Sequence, residues 1–173
     1  IFASNQEVAD GTNATKVVNP DTLRDAAWSR TMGGDGFGSA TAGSFQGDVV
    51  YFGGGSSLTE GRIYHYNNSG TWELADPNSV DTSDGLLGIA LGASPTTNGM
   101  LLRGMYILDY DAGDLGDVLY LDEQQVNSLY GAATDTAPAG NNDIVRIVGY
   151  LITDGSGKST IWFNPDNTFV EVG

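Results

Sequence analysis

The pattern of hydrophobic and polar positions changes at about residue 48. Downstream of this point, short apolar runs rich in β-branched and aromatic residues alternate with Gly, Asn, Asp and Ser. Such runs, bounded by turn residues, are typical of β-strands. The predicted strands are 48–52, 62–66, 71–74, 86–91, 100–108, 118–121, 143–153, 159–163 and 168–172.

Nine strands in one chain segment predict a mainly β fold, a compact antiparallel β-barrel or sandwich. The runs 86–91 and 100–108 are continuously apolar, so we expect them to be central strands. "NNSG" at 67–70 is a favourable hairpin connection because Asn and Gly tolerate positive φ. "NPDN" at 164–167 is expected to return the last strand.

Residues 1–47 carry helix signals instead. Ser4 and Glu7 have the spacing of a capping box, while Asn19 and Pro20 suit the N-cap and first position of a second helix. Glycine-rich sequence follows from residue 32 to 47. We therefore divide the chain into a short helical adaptor with a Gly-rich linker, residues 1–47, and a β knob domain, residues 48–173.

The adaptor helices are too short to be stable alone in water. Their apolar side chains need cover, and symmetric self-association would supply it. We expect a homotrimer or another closed symmetric oligomer, with contacts from Val17, Val18, Leu23 and Trp28.

Charge and composition exclude several classes of function. The chain has 22 acidic and 7 basic residues and a formal charge of −15, which would repel nucleic acids and anionic membranes. No segment approaches the roughly 20 apolar residues that span a bilayer, so membrane insertion is not expected. There is no Cys, and therefore no disulfide or Cys-based metal site.

The sequence gives little support for catalysis, and we expect no catalytic residue, no cofactor and no enzyme activity. His65 is the only His, which excludes metal motifs that require two histidines. Its place in "RIYHY" predicts a packed or hydrogen-bonded side chain on one face of a strand. No G-x-S-x-G nucleophile motif is present.

An acidic cluster, "DYDAGDLGD" at 109–117, is the candidate for cation binding. Asp109, Asp111 and Asp114, with Asp117, offer the oxygen ligands that calcium prefers. However, the spacing departs from the calcium helix–loop–helix, and no Glu closes the loop. A solvated turn between strands is the favoured interpretation, because turns select Asp and Gly.

Four aromatic residues are candidates for stacking on sugar rings: Tyr64, Tyr66, Trp72 and Trp162. Exposed aromatics offer a large, rigid contact area. Cross-strand aromatic pairs are also common within β-sheets, so packing is the alternative for each of them.

Two sets of motifs resemble bacteriophage proteins. "EVADGTNATKVVNPDTL" at 7–23 resembles the segment D-G-T-x-x-T-K-x-V-x-P-x-x-L of tail fibres, tailspikes and other virion appendages. "SGTWELAD", "GLLGIALGASP", "GMLLRGMYIL", "GDVLYL", "APAGNNDIVRIVGYLI" and "IWFNPDNTFVEV" occur in the order found in a β domain that closes phage tail-fibre and head-fibre polypeptides. The likeness covers most of residues 5–24 and 57–172.

This resemblance implies a structural protein on the surface of a phage virion. The main hypothesis is the C-terminal part of a tail fibre, a receptor-binding knob that contacts other virion proteins and a host surface glycan or protein. The alternative is a capsid decoration, cement or head-fibre protein that stabilises the phage head. A carbohydrate-active tail enzyme is the third possibility.

Overall fold

The computed structural model describes Lys16 and residues 41–123, 130–155 and 158–173. The chain divides into two compact units, Ile1–Met32 and Gly33–Gly173, and the second contains all the strands described here. The described residues form no α-helix; they contain one 3₁₀ turn, Val80–Thr82, and eleven strands. The strands are β1 (Phe45–Val50), β2 (Ile63–Tyr66), β3 (Trp72–Leu74), β4 (Leu87–Ala90), β5 (Met100–Ile107), β6 (Val118–Leu121), β7 (Ala133–Thr134), β8 (Ile144–Val145), β9 (Ile147–Gly155), β10 (Lys158–Phe163) and β11 (Val170–Glu171).

Eight strands form a curled antiparallel sheet, a half-barrel, in the order β3-β2-β4-β5-β10-β9-β6-β7. β1 pairs with one edge of β5, and β4 and β10 share the opposite edge. The far end of the sheet is tied back to β2, because the Ile63 amide donates to the Gly131 carbonyl oxygen at 2.7 Å. β8 and β11 form a separate two-stranded sheet.

The larger of two core clusters lies on one face of the sheet, and in β6 the buried residues of this face alternate with partly exposed ones. In β6, Leu119 and Leu121 are fully buried while Val118 and Tyr120 are half-buried, the two-residue period expected of a strand with one wet face. The inward side chains of the other strands meet them: Ile63, Leu87, Ile89, Leu101, Tyr106, Val148, Leu151, Ile161 and Phe163.

Glycine brings β1 and β5 unusually close together. Gly47 and Gly104 are direct cross-strand partners. A Cβ on Gly104, whose φ is +146°, would collide with the Gln46 carbonyl oxygen and lie 2.6 Å from the Gly47 Cα. This pairing is therefore open only to residues without a side chain.

The mainly β prediction is confirmed, and so are the central positions of β4 and β5. The sequence predicted a closed barrel or a sandwich, whereas the sheet is a half-barrel. The described residues form eleven strands, whereas about nine were predicted. The predicted run 143–153 is interrupted at Arg146, whose side chain turns inward to bind backbone carbonyls and divides β8 from β9. The last strand, β11, pairs with β8 and does not return to β10.

The predicted adaptor, residues 1–47, lies almost entirely outside the described residues. Its described end differs from the predicted linker, because β1 begins at Phe45 and pairs with β5 from that residue onward. β1 thus starts three residues before the predicted run at 48–52. The glycine-rich sequence there can form a strand because glycine allows its backbone to approach that of β5 closely.

Candidate functional site

Two of the four predicted sugar-contacting aromatics belong to the core. Tyr64 is 7% exposed, and its hydroxyl accepts a 2.8 Å hydrogen bond from the Thr59 amide. Trp72 is 4% exposed, and its Nε1 donates to the Phe52 carbonyl oxygen at 2.8 Å. Both side chains pack with Leu58, Ala90 and Met100, and neither offers a ring face to a ligand.

Tyr66 occupies an intermediate position. It is the cross-strand partner of Trp72, and its ring centroid lies 5.1 Å from both Trp72 and Phe52. The half-buried Tyr66 side chain also lines an open groove beside the hairpin turn at 67–70. The three rings pack against one another as an aromatic cluster beside the hairpin that borders the groove.

Trp162 faces away from its buried neighbours Ile161 and Phe163 and lies in a row of direct cross-strand partners. The row runs across five strands in the order Gln46, Met105, Trp162, Tyr150 and Val118, and we call it the outer row. Tyr150 is 45% exposed, and the other four side chains are half-buried. Trp162 and Tyr150 thus stand side by side, where facing residues on adjacent strands have Cβ atoms roughly 5 Å apart.

The positively charged side chain of Arg103 lies beside the outer row. Its guanidinium carbon lies 5.9 Å from the centroid of the Trp162 ring, within cation–π range. Asp48 is its direct cross-strand partner on β1. An exposed guanidinium beside aromatic rings can donate hydrogen bonds to a ligand that the rings contact.

Tyr150 is the aromatic member of the outer row that sequence reasoning missed. The signal lies in the hairpin between β9 and β10, whose turn residues "DGSGK" are evident from the sequence. If residues are paired one to one outward from that turn, Tyr150 falls one residue away from the position opposite Trp162. The bulge between Thr160 and Ile161 shifts the register by one residue and makes the two residues direct partners. A one-residue shift moves every side chain to the opposite face, so the sequence alone left the pair ambiguous.

The groove has a volume of about 710 Å³. The β2–β3 hairpin and the loop at 79–85 border it. Its lining is polar apart from Tyr66: His65, Asn67, Asn68, Ser69, Glu73, Asp81, Thr82, Asp84 and Gly85.

His65 lies at the base of the groove between two carboxylates. Its Nε2 is 3.7 Å from Glu73 Oε2, and its Nδ1 is 3.7 Å from Asp84 Oδ1. The His65 side chain is only 4% exposed, whereas those of Glu73 and Asp84 are about half exposed. The predicted burial of His65 is confirmed, but neither ring nitrogen has a hydrogen-bond partner among the described residues.

Both carboxylates are positioned by neighbouring groups. Asn67 Nδ2 donates to Glu73 Oε2 at 3.2 Å, and Asn67 Oδ1 accepts from the Ser69 and Thr71 amides, which fixes its orientation. Asp84 lies between two residues whose carbonyls accept from Arg146, Ser83 at 2.5 Å and Gly85 at 2.7 Å.

Arg146 is itself almost fully buried, at 1% exposure. Burial lowers the pKa of its guanidinium, and the nearby Asp84 and Asp166 carboxylates oppose this shift. Sequence reasoning treated Arg146 only as part of a strand; its role depends on loops distant in sequence.

The acidic residues considered for cation binding make the contacts of a turn, which was the favoured interpretation. Asp111 Oδ1 accepts from the Gly113 amide at 3.2 Å, and Asp117 Oδ2 accepts from the Asp114 amide at 2.9 Å. Asp109 is exposed at the end of β5. In the described ranges, no group of three or more His, Asp or Glu side chains is arranged to hold a metal ion.

The predicted oligomerisation residues Val17, Val18, Leu23 and Trp28 lie outside the described residues. Within residues 41–123, 130–155 and 158–173, no helix is long and apolar enough to cross a membrane. Comparisons with protein-family models, with curated proteins and with solved structures found no match for this chain.

Proposed function

We propose that this chain is a bacteriophage virion structural protein, the C-terminal part of a fibre, whose β domain adsorbs to a saccharide on the host surface. The motifs at 7–23 and 69–172 support the phage assignment through their resemblance to virion appendages. The single observation that supports saccharide contact is the cross-strand pair Trp162–Tyr150 on the outer row. We propose no catalytic step for this domain.

The outer row suits a flat, partly hydrated ligand. A sugar ring has an apolar face of axial C–H groups and a rim of hydroxyls, so it stacks on aromatic rings while remaining hydrogen-bonded. Tyr150 and Trp162 provide adjacent aromatic surface with few rotatable bonds, which lowers the entropy cost of binding. Arg103 provides donors at the edge of this surface for hydroxyl or carboxylate groups of the saccharide.

Such a contact is weak in one copy and effective in several. A small aromatic surface gives modest affinity, but linked copies engage the same cell surface at a high effective concentration. The expected homotrimer would present three outer rows, and a virion carries many fibres. Adsorption would then arise from the sum of contacts that individually dissociate quickly.

The test is adsorption of the fluorescently labelled chain to host cells and to their purified surface polysaccharide. Tyr150→Ala and Trp162→Ala should each reduce binding by about 5- to 150-fold, the loss of about one to three kcal/mol that alanine substitution of a stacking aromatic typically causes. Tyr51→Ala is the matched control, because Tyr51 is 61% exposed and lies outside the outer row.

The outcomes separate the hypotheses. Equal binding by Tyr150→Ala, Trp162→Ala and Tyr51→Ala would exclude the outer row as the contact surface. If the chain ignores cells and polysaccharide but binds purified phage heads, the fibre proposal fails and a head-decoration protein replaces it. Release of reducing sugar ends from the polysaccharide would contradict a non-enzymatic role.

A further inference from the structure

His65 is a buried imidazole whose two ring nitrogens both face carboxylate oxygens. Its Nε2 lies 3.7 Å from Glu73 Oε2 and its Nδ1 lies 3.7 Å from Asp84 Oδ1. A neutral imidazole carries one N–H and one lone pair. Whichever nitrogen holds the proton, the lone pair of the other therefore faces a carboxylate, which is an unfavourable contact between two acceptors. An imidazolium ring donates from both nitrogens and so has a favourable partner on each side.

We infer that His65 is a proton-operated clasp between the two borders of the groove. Glu73 belongs to the β2–β3 hairpin and Asp84 to the loop at 79–85, so a protonated ring bonds to both borders at once. Both carboxylates are about half exposed and have room to move. Each needs to approach by only about 1 Å to reach the length of a charge-assisted hydrogen bond. Protonation should draw the hairpin and the loop together, and loss of the proton should let them separate.

The charged groups that face the ring favour its protonated form. From β3, Glu73 is the direct cross-strand partner of His65, and from the loop, Asp84 and Asp81 line the same groove. The residue opposite His65 on β4 is the fully buried Leu87, which carries no charge. Burial of the ring opposes a charge on it, and the negative potential of the three carboxylates offsets that cost.

Arg146 is the nearby cation, and it anchors the loop side of the clasp. It donates to the carbonyl oxygens of Ser83 and Gly85, on either side of Asp84, and its guanidinium also attracts the Asp84 carboxylate. Between about pH 5 and 8, where imidazoles ordinarily titrate, guanidinium and carboxylate groups in general keep their charges. The clasp therefore responds to pH through His65. It shares no residue with the outer row, so each proposal can fail without the other.

The first test follows the imidazole by NMR in the full chain without an affinity tag, where His65 is the only His. The midpoint of its titration should fall by about half a pH unit or more in Glu73→Gln and in Asp84→Asn, because each removes one facing charge. Asp81→Asn is the matched control, since it removes the same charge from the same groove, and it should shift the midpoint by less than about 0.2 unit. Equal midpoints in wild type, Glu73→Gln and Asp84→Asn would overturn the inference.

The second test measures the movement of the loop by hydrogen exchange, corrected for the intrinsic effect of pH. The Ser83 and Asp84 amides report on it, because both donate to the Val80 carbonyl oxygen within the loop. Bound protons stabilise the closed groove, so protection should be about threefold or more higher below the His65 midpoint than above it. Equal protection on both sides of the midpoint would show that the proton does not operate a clasp.

Two kinds of variant make the second test specific. His65→Gln should remove the pH dependence of loop protection. Glu73→Gln should reduce it, and because Glu73 is half exposed, this variant keeps the test valid where loss of the buried ring disturbs folding. A pH dependence that both variants leave unchanged would assign it to other groups and contradict the role of His65.

Discussion

Arg146 donates from Nη1 to the carbonyl oxygen of Ser83, 63 positions earlier in the chain, at 2.5 Å. The same guanidinium donates from Nη2 to Gly85 and from Nε to the Asp166 carbonyl oxygen. The buried Arg146 side chain lies at the junction of β8 and β9. Its hydrogen bonds connect this junction to the loop at 79–85, which borders the groove, and to the segment before β11. These contacts explain why a charged residue interrupts an otherwise apolar run.

Replacing Arg146 should destabilise the fold severely. Arg146→Met is expected to lower the free energy of unfolding by about 3 kcal/mol, because it leaves buried carbonyls without donors. Arg146→Lys should lose less, since one ammonium retains the charge but cannot reach all three carbonyls. Urea denaturation measures both.

Arg103→Met provides the control for that series, because Arg103 is exposed and lies beside the outer row. It should change the free energy of unfolding by less than about 0.5 kcal/mol. Equal effects of Arg103→Met and Arg146→Met would contradict the role assigned to Arg146.

The close approach of β1 and β5 predicts a strong effect at Gly104. Gly104→Ala should cost about 3 kcal/mol or more, because the new Cβ collides with backbone atoms that cannot move independently of the sheet. Gly116→Ala is the comparison, since Gly116 has φ +92° but no atom within 4 Å of an added Cβ. It should cost only the strain of its backbone conformation, about 1–2 kcal/mol. Similar thermal shifts for the two variants would indicate that the strands separate easily.

Asp166 should contribute to stability in a pH-dependent way. Its Oδ1 accepts from the Thr168 hydroxyl at 2.6 Å and from the Thr168 amide at 2.9 Å, and these bonds lower the pKa of Asp166 from its ordinary value of 3.8. The unfolded chain therefore binds this proton more readily, so the stabilisation is present above pH 3.8 and is lost as pH falls through the lowered pKa.

The matching experiment compares wild type with Asp166→Asn, whose amide oxygen still accepts hydrogen bonds but does not titrate. The wild type should be the more stable protein at pH 7, and the difference should shrink as the pH falls below 3.8 and through the lowered pKa of Asp166. Thr168→Val removes the hydroxyl donor and should reduce the pH dependence. A difference that stays constant with pH would show that the Asp166 charge has no such role.

Self-association remains a prediction from residues 1–47. Size-exclusion chromatography with light scattering should give a mass of about three times the chain mass of 18.1 kDa. Trp28→Ala and Leu23→Asp should shift that mass towards one chain without changing the β-sheet circular dichroism signal. A monomer at tens of micromolar would contradict the prediction.

The sequence predicted most strands because their apolar runs end at turn residues, as "VLYL" does at 118–121. β7 escaped prediction because two residues, Ala133 and Thr134, are too few to show an alternating pattern. The curvature of the sheet could not be predicted from the sequence either. It depends on bulges such as the one at Thr160/Ile161 and on close glycine contacts between strands that are distant in the chain.

The site was predicted only in part, for a similar reason. Trp162 and Tyr66 were identified as aromatic candidates, but their neighbours on other strands were not evident from the sequence. The groove depends on three side chains brought together from separate segments: His65, Glu73 and Asp84. No motif spacing connects them, because the β2–β3 register and the anchoring of a loop by Arg146 create the arrangement.

β10 lies between β5 and β9, although it is nearly the last strand in the chain. During synthesis, β5 emerges more than 50 residues before the strand that will cover its second edge. A nascent or truncated chain that stops before residue 158 therefore exposes unpaired backbone on both β5 and β9, which invites pairing with other unfinished copies. The speed of translation past residue 163, and chaperones that cover the open edges until then, should consequently determine the yield of correctly folded protein.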